Sequence, residues 1–199
     1  MTFLLATRNR KKEQELRRLL KGVPIRLVTL DRFPDFPPVV EDGSTFRENA
    51  VKKAVLTSRY TTLPVLADDS GLEVRALHGR PGVKSARFAG PGQRDSENIA
   101  KLLRLLSGVP ASRRRARFVC RLALAAGGKL IRSFRGDLSG AIALHPAGRT
   151  GFGYDPVFIP DGRKKTIAEL GTQAKDALSH RARAIKEFRA WAAASGAIR

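Results

Sequence analysis

Phe3-Leu4-Leu5-Ala6-Thr7-Arg8-Asn9-Arg10-Lys11-Lys12 opens with an apolar run of strand length and ends in a basic cluster. Asn9 is a helix-capping residue type, and beyond it Leu16, Leu19 and Leu20 share one helical face until Gly22 stops the pattern. The stretch predicts a buried strand, Phe3 to Ala6, that turns directly into a helix. The same change of period recurs along the chain. Ile25 to Leu30 reads as a strand, Asp31 to Asp42 as a Pro-rich loop, and Thr45 with Glu48 has capping-box spacing for a helix burying Phe46, Ala50, Ala54 and Val55. Val65 to Ala67 is a short apolar strand, and Ile99, Leu102, Leu103 and Leu106 mark another helix. Arg117 to Ala125 and Lys129 to Phe134 read as strands around Gly127-Gly128, a hairpin signal, with a further strand near Ala141 to Leu144. A last helix is expected from Asp176 to Ala194, with Leu178, Ala182, Ile185 and Trp191 on or near one face. No linker, repeat or low-complexity block divides these elements, so the expectation is one α/β domain over 1–199.

The composition narrows the function. At 199 residues and 42% hydrophobic the chain can bury a sizeable core. No run approaches the roughly 18 to 20 apolar residues of a spanning helix. The start, MTFLLATRNRKK, places apolar residues before charges, the reverse of a secretory signal, so neither a membrane span nor export is expected. One cysteine, Cys120, makes no internal disulfide, and with three histidines an ordinary zinc site lacks ligands; a reducing cytoplasm is the expected compartment. The net charge of +20, from 38 Lys and Arg against 18 Asp and Glu, raises the thought of nucleic acid. It is mostly spread, however. The one dense run, Arg113-Arg114-Arg115 with Arg117, has no aromatic interleaving and reads as a solvated loop rather than a nucleic-acid patch. Such a field also draws in small phosphate-bearing substrates.

Four constellations carry chemistry. In Thr7-Arg8-Asn9-Arg10-Lys11-Lys12, basic side chains oppose the dipole of a helix start, which makes sense if an anion sits among them with free backbone amides completing the cradle; a merely solvated helix start is the alternative. In Ala67-Asp68-Asp69-Ser70-Gly71, two adjacent carboxylates where a buried strand runs out repel each other, and hard oxygens select magnesium or manganese. Successive strand residues face opposite sides, so Asp68 and Asp69 are expected to differ in role, one reaching a metal and an attacking water, the other bracing the loop. An ordinary Asp-Asp-Ser-Gly turn is the alternative; Glu41 as a second metal ligand and Lys53 as a phosphate partner favour the catalytic reading. In Gly148-Arg149-Thr150-Gly151-Phe152-Gly153-Tyr154-Asp155-Pro156, Phe152 can stack on a base and Asp155 accept from its ring nitrogens, against a plain Gly-rich hairpin. Last, Lys175 and Ser179-His180-Arg181 offer a cap and donors at a helix start, where a lone histidine is also an ordinary structural residue.

Taken in order, these pieces resemble the inosine triphosphatase family of nucleoside triphosphate pyrophosphatases. They are Ala6-Thr7-Arg8-Asn9 with Lys12, Glu41-Asp42-Gly43, Phe46 with Glu48-Asn49-Ala50 and Lys53, and Leu66 to Leu72. They continue with Pro81-Gly82-Val83, Ser85 to Gly90, Gly151 to Phe158, Ala168-Glu169-Leu170, and Lys175 with Ser179 to Ala182, so that the resemblance covers Leu4 to about Ala184. It implies an elongated mixed β-sheet with flanking helices, two lobes around a central cleft, and a homodimer in the cytoplasm. The implied reaction hydrolyses non-standard purine nucleoside triphosphates (ITP, dITP, XTP) to the monophosphate and pyrophosphate with Mg²⁺. Carried over, Thr7, Asn9, Lys12 and Lys53 hold the triphosphate; Glu41 and Asp69 serve the metal; Asp69 activates water and Asp68 supports it. Ser70 contacts substrate, Phe152 of the Phe152-Gly153-Tyr154-Asp155 loop stacks on the base, and Asp155, Lys175, His180 and Arg181 read its edge or fix that pocket. Lys84, Phe88 and Gln173-Ala174 depart from the family pattern without touching the reaction. A Maf-like pyrophosphatase shares the architecture but lacks the Ser-His-Arg and Phe-Gly-Tyr-Asp pieces, and a nucleic-acid module leaves Glu41, Asp68 and Asp69 without a purpose.

Overall fold

The computed structural model describes residues 1–33, 35–92 and 94–196. Pro34, within the Pro-rich loop expected over 31–42, lies outside the described residues. The strands are β1 (Thr2–Leu5), β2 (Arg26–Thr29), β3 (Val65–Val74), β4 (Arg115–Ala126), β5 (Lys129–Ile142) and β6 (Phe158–Pro160), and the helices α1 (Arg10–Leu19), α2 (Phe46–Thr57), α3 (Asp95–Leu105), α4 (Ile167–Leu178) and α5 (His180–Ser195). Hydrogen bonding orders the strands β2-β1-β3-β4-β5-β6. β1 is parallel to β2 and β3 while β5 is antiparallel to β6, so the sheet is mixed, and the α/β expectation holds. No helix among the described residues is long and apolar enough to cross a membrane.

The chain forms two compact units, whose boundaries fall inside β3, β4 and β5 and at the start of α5. The first comprises Met1–Asp69, Cys120–Gly136 and the chain from Arg181 onward; the second comprises Ser70–Val119 and Asp137–His180.

In the first unit the alternation of strand side chains builds two apolar layers. Phe3, Leu5 and Leu66 pack with Leu16 and Leu20 of the α1 segment and Ile185 and Phe188 of α5. Leu4, Ala6, Val65 and Ala67 face the other way, onto Ala50 and Ala54 of α2. Both helix starts follow from their caps. Asn9 Oδ1 accepts from the Lys11 and Lys12 amides at 3.0 and 3.1 Å. Thr45 Oγ1 accepts from the Glu48 amide at 3.1 Å, but the reciprocal arm of the expected capping box goes one residue earlier, Glu48 Oε2 accepting from Ser44 N at 2.8 Å.

The second unit has its own core, in which Leu72 and Val74 of β3, Ile99 and Leu102 of α3, Leu138 of β5, Val157 and Phe158 meet. Arg114 corrects the reading of the arginine run as a solvated loop. It is 5% exposed, and its guanidinium donates to the carbonyls of Leu106, Val109 and Ala143, closing buried backbone acceptors.

Three boundaries also differ from expectation. β3 does not run out at Ala67 but continues to Val74, so Asp68 and Asp69 sit mid-strand. β5 absorbs the first half of the separately expected strand near Ala141, because Gly140 serves close approach rather than a break: a Cβ there would fall onto the Ile159 carbonyl and the Phe158 ring. The single helix expected over 176–194 is two. Ser179 has extended backbone (ψ 159°) between α4 and α5, and α4 starts much earlier, at the Thr166–Glu169 capping box, and bends at Gly171 (φ 82°).

Candidate active site

In the first unit, β3 aims its two carboxylates at different helices. Asp68 follows the parity of Leu66, toward α1 and α5; Asp69 follows that of Val65 and Ala67, toward α2. Asp68, 1% exposed, accepts from Arg181 Nη2 at 3.2 Å and faces Lys12 Nζ at 3.4 Å. Arg181 is also paired with Glu15, Nη1 to Oε2 at 3.0 Å, and all three groups are buried. Burial opposes the Arg181 charge, but the Glu15 and Asp68 carboxylates more than offset it and hold its pKa above the usual arginine value. Arg181, expected to read the base edge or fix that pocket, thus meets Glu15 and Asp68, and α1 and α5 are joined through these pairs.

On the other side Asp69 Oδ2 accepts from Asn49 Nδ2 at 3.0 Å. Burial raises the Asp69 pKa to about 6, against the pull of Lys12 and Lys53 and with the push of the Glu41 charge. A carboxyl poised there is ionised at neutral pH yet basic enough to take a proton. Lys53 Nζ donates to Glu41 Oε1 at 2.8 Å. Burial acts against its charge, but Glu41, Asp68 and Asp69 outweigh that and raise its pKa above the ordinary lysine value. The structure thus pairs the two residues expected to hold metal and phosphate with each other.

The first turn of α1 differs from the expected cradle. The amides of Lys11 and Lys12 are taken by Asn9, and Thr7 Oγ1 accepts the Asn9 amide at 3.2 Å. Arg8 donates to the Phe36 carbonyl at 2.9 Å. Lys12 reaches toward Asp68, and the anion-attracting element is this side chain rather than free backbone amides.

Ser70 opens the second unit. Of its other expected site residues, Phe152 to Asp155 lie in the loop before β6, Lys175 of α4 reaches that loop, and His180 opens α5. Gly151 has φ 82° and its missing Cβ leaves the space that the Asp155 carboxylate fills. Asp155 Oδ2 accepts from the Phe152 amide at 2.8 Å and from Lys175 Nζ at 2.6 Å, and the same ammonium lies 4.0 Å from the centre of the Phe152 ring. Phe152 and Gly153 are half-buried while Asp155 and Lys175 are buried, so the lysine and carboxylate brace the ring. Tyr154 is buried with its hydroxyl donated to the Ser85 carbonyl at 3.0 Å. His180, 5% exposed, stacks on Phe118 with ring centres 4.7 Å apart. These contacts anchor the loop and the α5 start within the core of the second unit.

Asn49 and Glu15 belong to the first group and had no expected role there. Each is a polar residue on an apolar helical face, Asn49 between Phe46 and Ala54 and Glu15 beside Leu16, and that misplacement was the available signal. Cys120 is fully buried, and burial raises its thiol pKa to about 12, so it is inert as a nucleophile.

The Ham1 family model matches residues 3–191. The chain belongs to the Ham1 family. Two relatives named dITP/XTP pyrophosphatase, from Geobacter sulfurreducens and Geobacillus kaustophilus, are each 50% identical, covering 92% of both chains and 94% of this chain with 91% of the relative. The Ham1 protein of Staphylococcus aureus has the same fold, with TM-score 0.87 and 37% identity over 98% of this chain and 100% of that one. A Ham1 protein from Coxiella burnetii superposes with TM-score 0.86 and 40% identity over 94% and 96%. The resemblance carried by the ordered sequence pieces and the Ham1 assignment therefore agree.

Proposed function

We propose that this Ham1-family chain hydrolyses ITP, dITP and XTP to the nucleoside monophosphate and pyrophosphate, a reading supported by relatives named dITP/XTP pyrophosphatase. The observation that carries the reading is the division of labour on β3: Asp68 locked to Arg181, and Asp69 raised to a pKa of about 6 beside Asn49, Lys53 and Glu41. Hydrolysis adds water to the phosphorus next to the sugar and breaks its bond to the oxygen bridging to the β-phosphate. Asp69 takes the proton from the attacking water, and Lys12 and Lys53 offset the charge of the phosphate oxygens. Lys53 exchanges Glu41 for a phosphate oxygen when substrate binds. In the second unit, Phe152 supplies the face on which the base stacks.

Mg²⁺ fits the donor set. The Glu41 charge is felt at Asp69, both groups present hard oxygens, and no three His, Cys, Asp or Glu among the described residues form a ready-made cage. Magnesium is commonly held by one or two carboxylates and completed by substrate phosphates and water. Glu41 and Asp69 would hold it, and when bound it supplies positive charge against the triphosphate. We further place the enzyme in the cytoplasm, with its free buried thiol, as a homodimer without a specific nucleic-acid partner. Light scattering on the purified protein tests the dimer.

The deciding experiment is pyrophosphate release across dITP, ITP, XTP, ATP and GTP with and without Mg²⁺. Release from the first three, dependent on Mg²⁺ and well above that from ATP, is expected. Orthophosphate instead of pyrophosphate, or equal rates on ATP, overturns the reading.

A further inference from the structure

We infer that Asn49 is a positioning residue that ties the Asp69 carboxylate to the loop carrying Glu41, an inference that rests on the hydrolytic role proposed above for Asp69. Asn49 is 1% exposed on the core-facing side of α2. A buried amide there is costly unless both ends are bonded. Both are: Nδ2 donates to Asp69 Oδ2 at 3.0 Å, and Oδ1 accepts from Gly43 N at 2.8 Å. The orientation is forced by chemistry, since a backbone N–H can only donate and the amide oxygen must face it. That leaves the NH₂ group for the carboxylate. Aspartate would offer an acceptor to both neighbours, and a shortened or apolar side chain would offer neither bond.

The loop is shaped to meet this amide. A Cβ on Gly43 would stand 2.7 Å from Asn49 Oδ1, 2.9 Å from Glu48 Cβ and 3.2 Å from Asn49 N, so the backbone reaches Asn49 only because position 43 is glycine. Two residues earlier, Glu41 is held by Lys53, one helical turn beyond Asn49 on the same helix. Consecutive turns of α2 therefore fix both carboxylates, Asp69 through an amide and Glu41 through an ammonium, and the Gly43 bond sets the distance between strand and loop. Displacing a reacting group by about 1 Å can cost as much as 10²-fold in rate. Asn49 acts through Asp69 and the loop.

The test compares wild type with Asn49→Ala, Asn49→Asp and Gly43→Ala. The last perturbs the bridge from its far end, through a Cβ that crowds Asn49 Oδ1, without substituting Asp69 or Asn49. For each, kcat and KM on dITP are measured, together with calorimetric binding of a non-hydrolysable imido analogue and the thermal midpoint. We expect kcat to fall at least about tenfold in all three, with KM and analogue binding within about threefold of wild type. A merely structural role would move the midpoint and leave kcat of the folded fraction intact. If Asn49→Asp fails to fold because it buries a second carboxylate, the other two variants still decide. Wild-type kcat in Asn49→Ala and Gly43→Ala, or a loss confined to KM, overturns the positioning role alone. Absence of pyrophosphate release from wild type overturns the hydrolytic reading and this one with it.

Discussion

Asp69, to which we assign the proton transfer, also carries a cost. Its folded pKa of about 6 lies above the ordinary 3.8, so the stability it contributes is present below pH 3.8 and lost as pH rises through about 6. At neutral pH the buried charge costs on the order of 3 kcal/mol. Asp69→Asn should therefore unfold at the same temperature or a higher one at pH 7.5 while losing at least about a hundredfold in turnover. Calorimetry and a pyrophosphate assay on one preparation check both; a folded variant with near-normal turnover refutes the assignment. Carboxyl NMR of the metal-free protein should give an Asp69 inflection near 6, and Mg²⁺ should move it lower, since a cation favours the charged form. An inflection unmoved by saturating Mg²⁺ would remove Asp69 from the metal site. The opposite facing of Asp68 and Asp69 was legible from the two-residue period of a strand. Their mid-strand position was not, because Asp-Asp-Ser-Gly is turn-like locally and only pairing within the sheet makes it strand.

At the scale of elements, helix starts at Asn9 and Thr45 and the Gly127-Gly128 hairpin were readable because each is set by local bonds or by φ: both glycines are positive, at 55° and 77°. The break at Ser179 was half-readable, since a serine cap and a continuous apolar stripe pointed to different helix boundaries. What joins the elements was hidden. Glu15 and Arg181 stand near opposite ends of the chain, and no spacing rule links them, yet the pair ties α1 to α5 and supports Asp68. Glu15→Ala should leave Arg181 buried with one carboxylate instead of two and cost about 3 kcal/mol. A urea midpoint lowered accordingly, with the transition slope unchanged, is the expected result. An unchanged midpoint would show that the buried pair contributes nothing net. The carboxylate partners of Arg181 were not readable, because a donor at a helix start gives no hint of which carboxylate it will meet.

For the whole molecule, the net charge of +20 invites a nucleic-acid partner, and the structure removes the strongest local argument for one. Within the dense arginine run, Arg114 is buried on backbone carbonyls, Arg115 is held bidentate by Asp161 at 2.6 and 2.8 Å, and Arg117 is paired with Glu73 at 2.6 Å. Arg113, Arg115 and Arg117 are exposed, but two of the three are already paired with carboxylates, which weakens the run as a phosphate-binding patch. The remaining charge is a field, which acts on every polyanion alike and is screened over about 8 to 10 Å at physiological salt. Two consequences are measurable on one protein sample. Fluorescence anisotropy with labelled DNA and RNA should show weak binding, indifferent to sequence and lost on going from low salt to about 0.2 M, since phosphate contacts alone release counterions in proportion to their number. Over the same range kcat/KM on dITP should fall while kcat holds, because screening slows the encounter with a triphosphate and leaves the bound step alone. Salt-resistant, sequence-selective binding would instead mean that arginines outside this run build a true interface, and the charge would then have a function separate from hydrolysis.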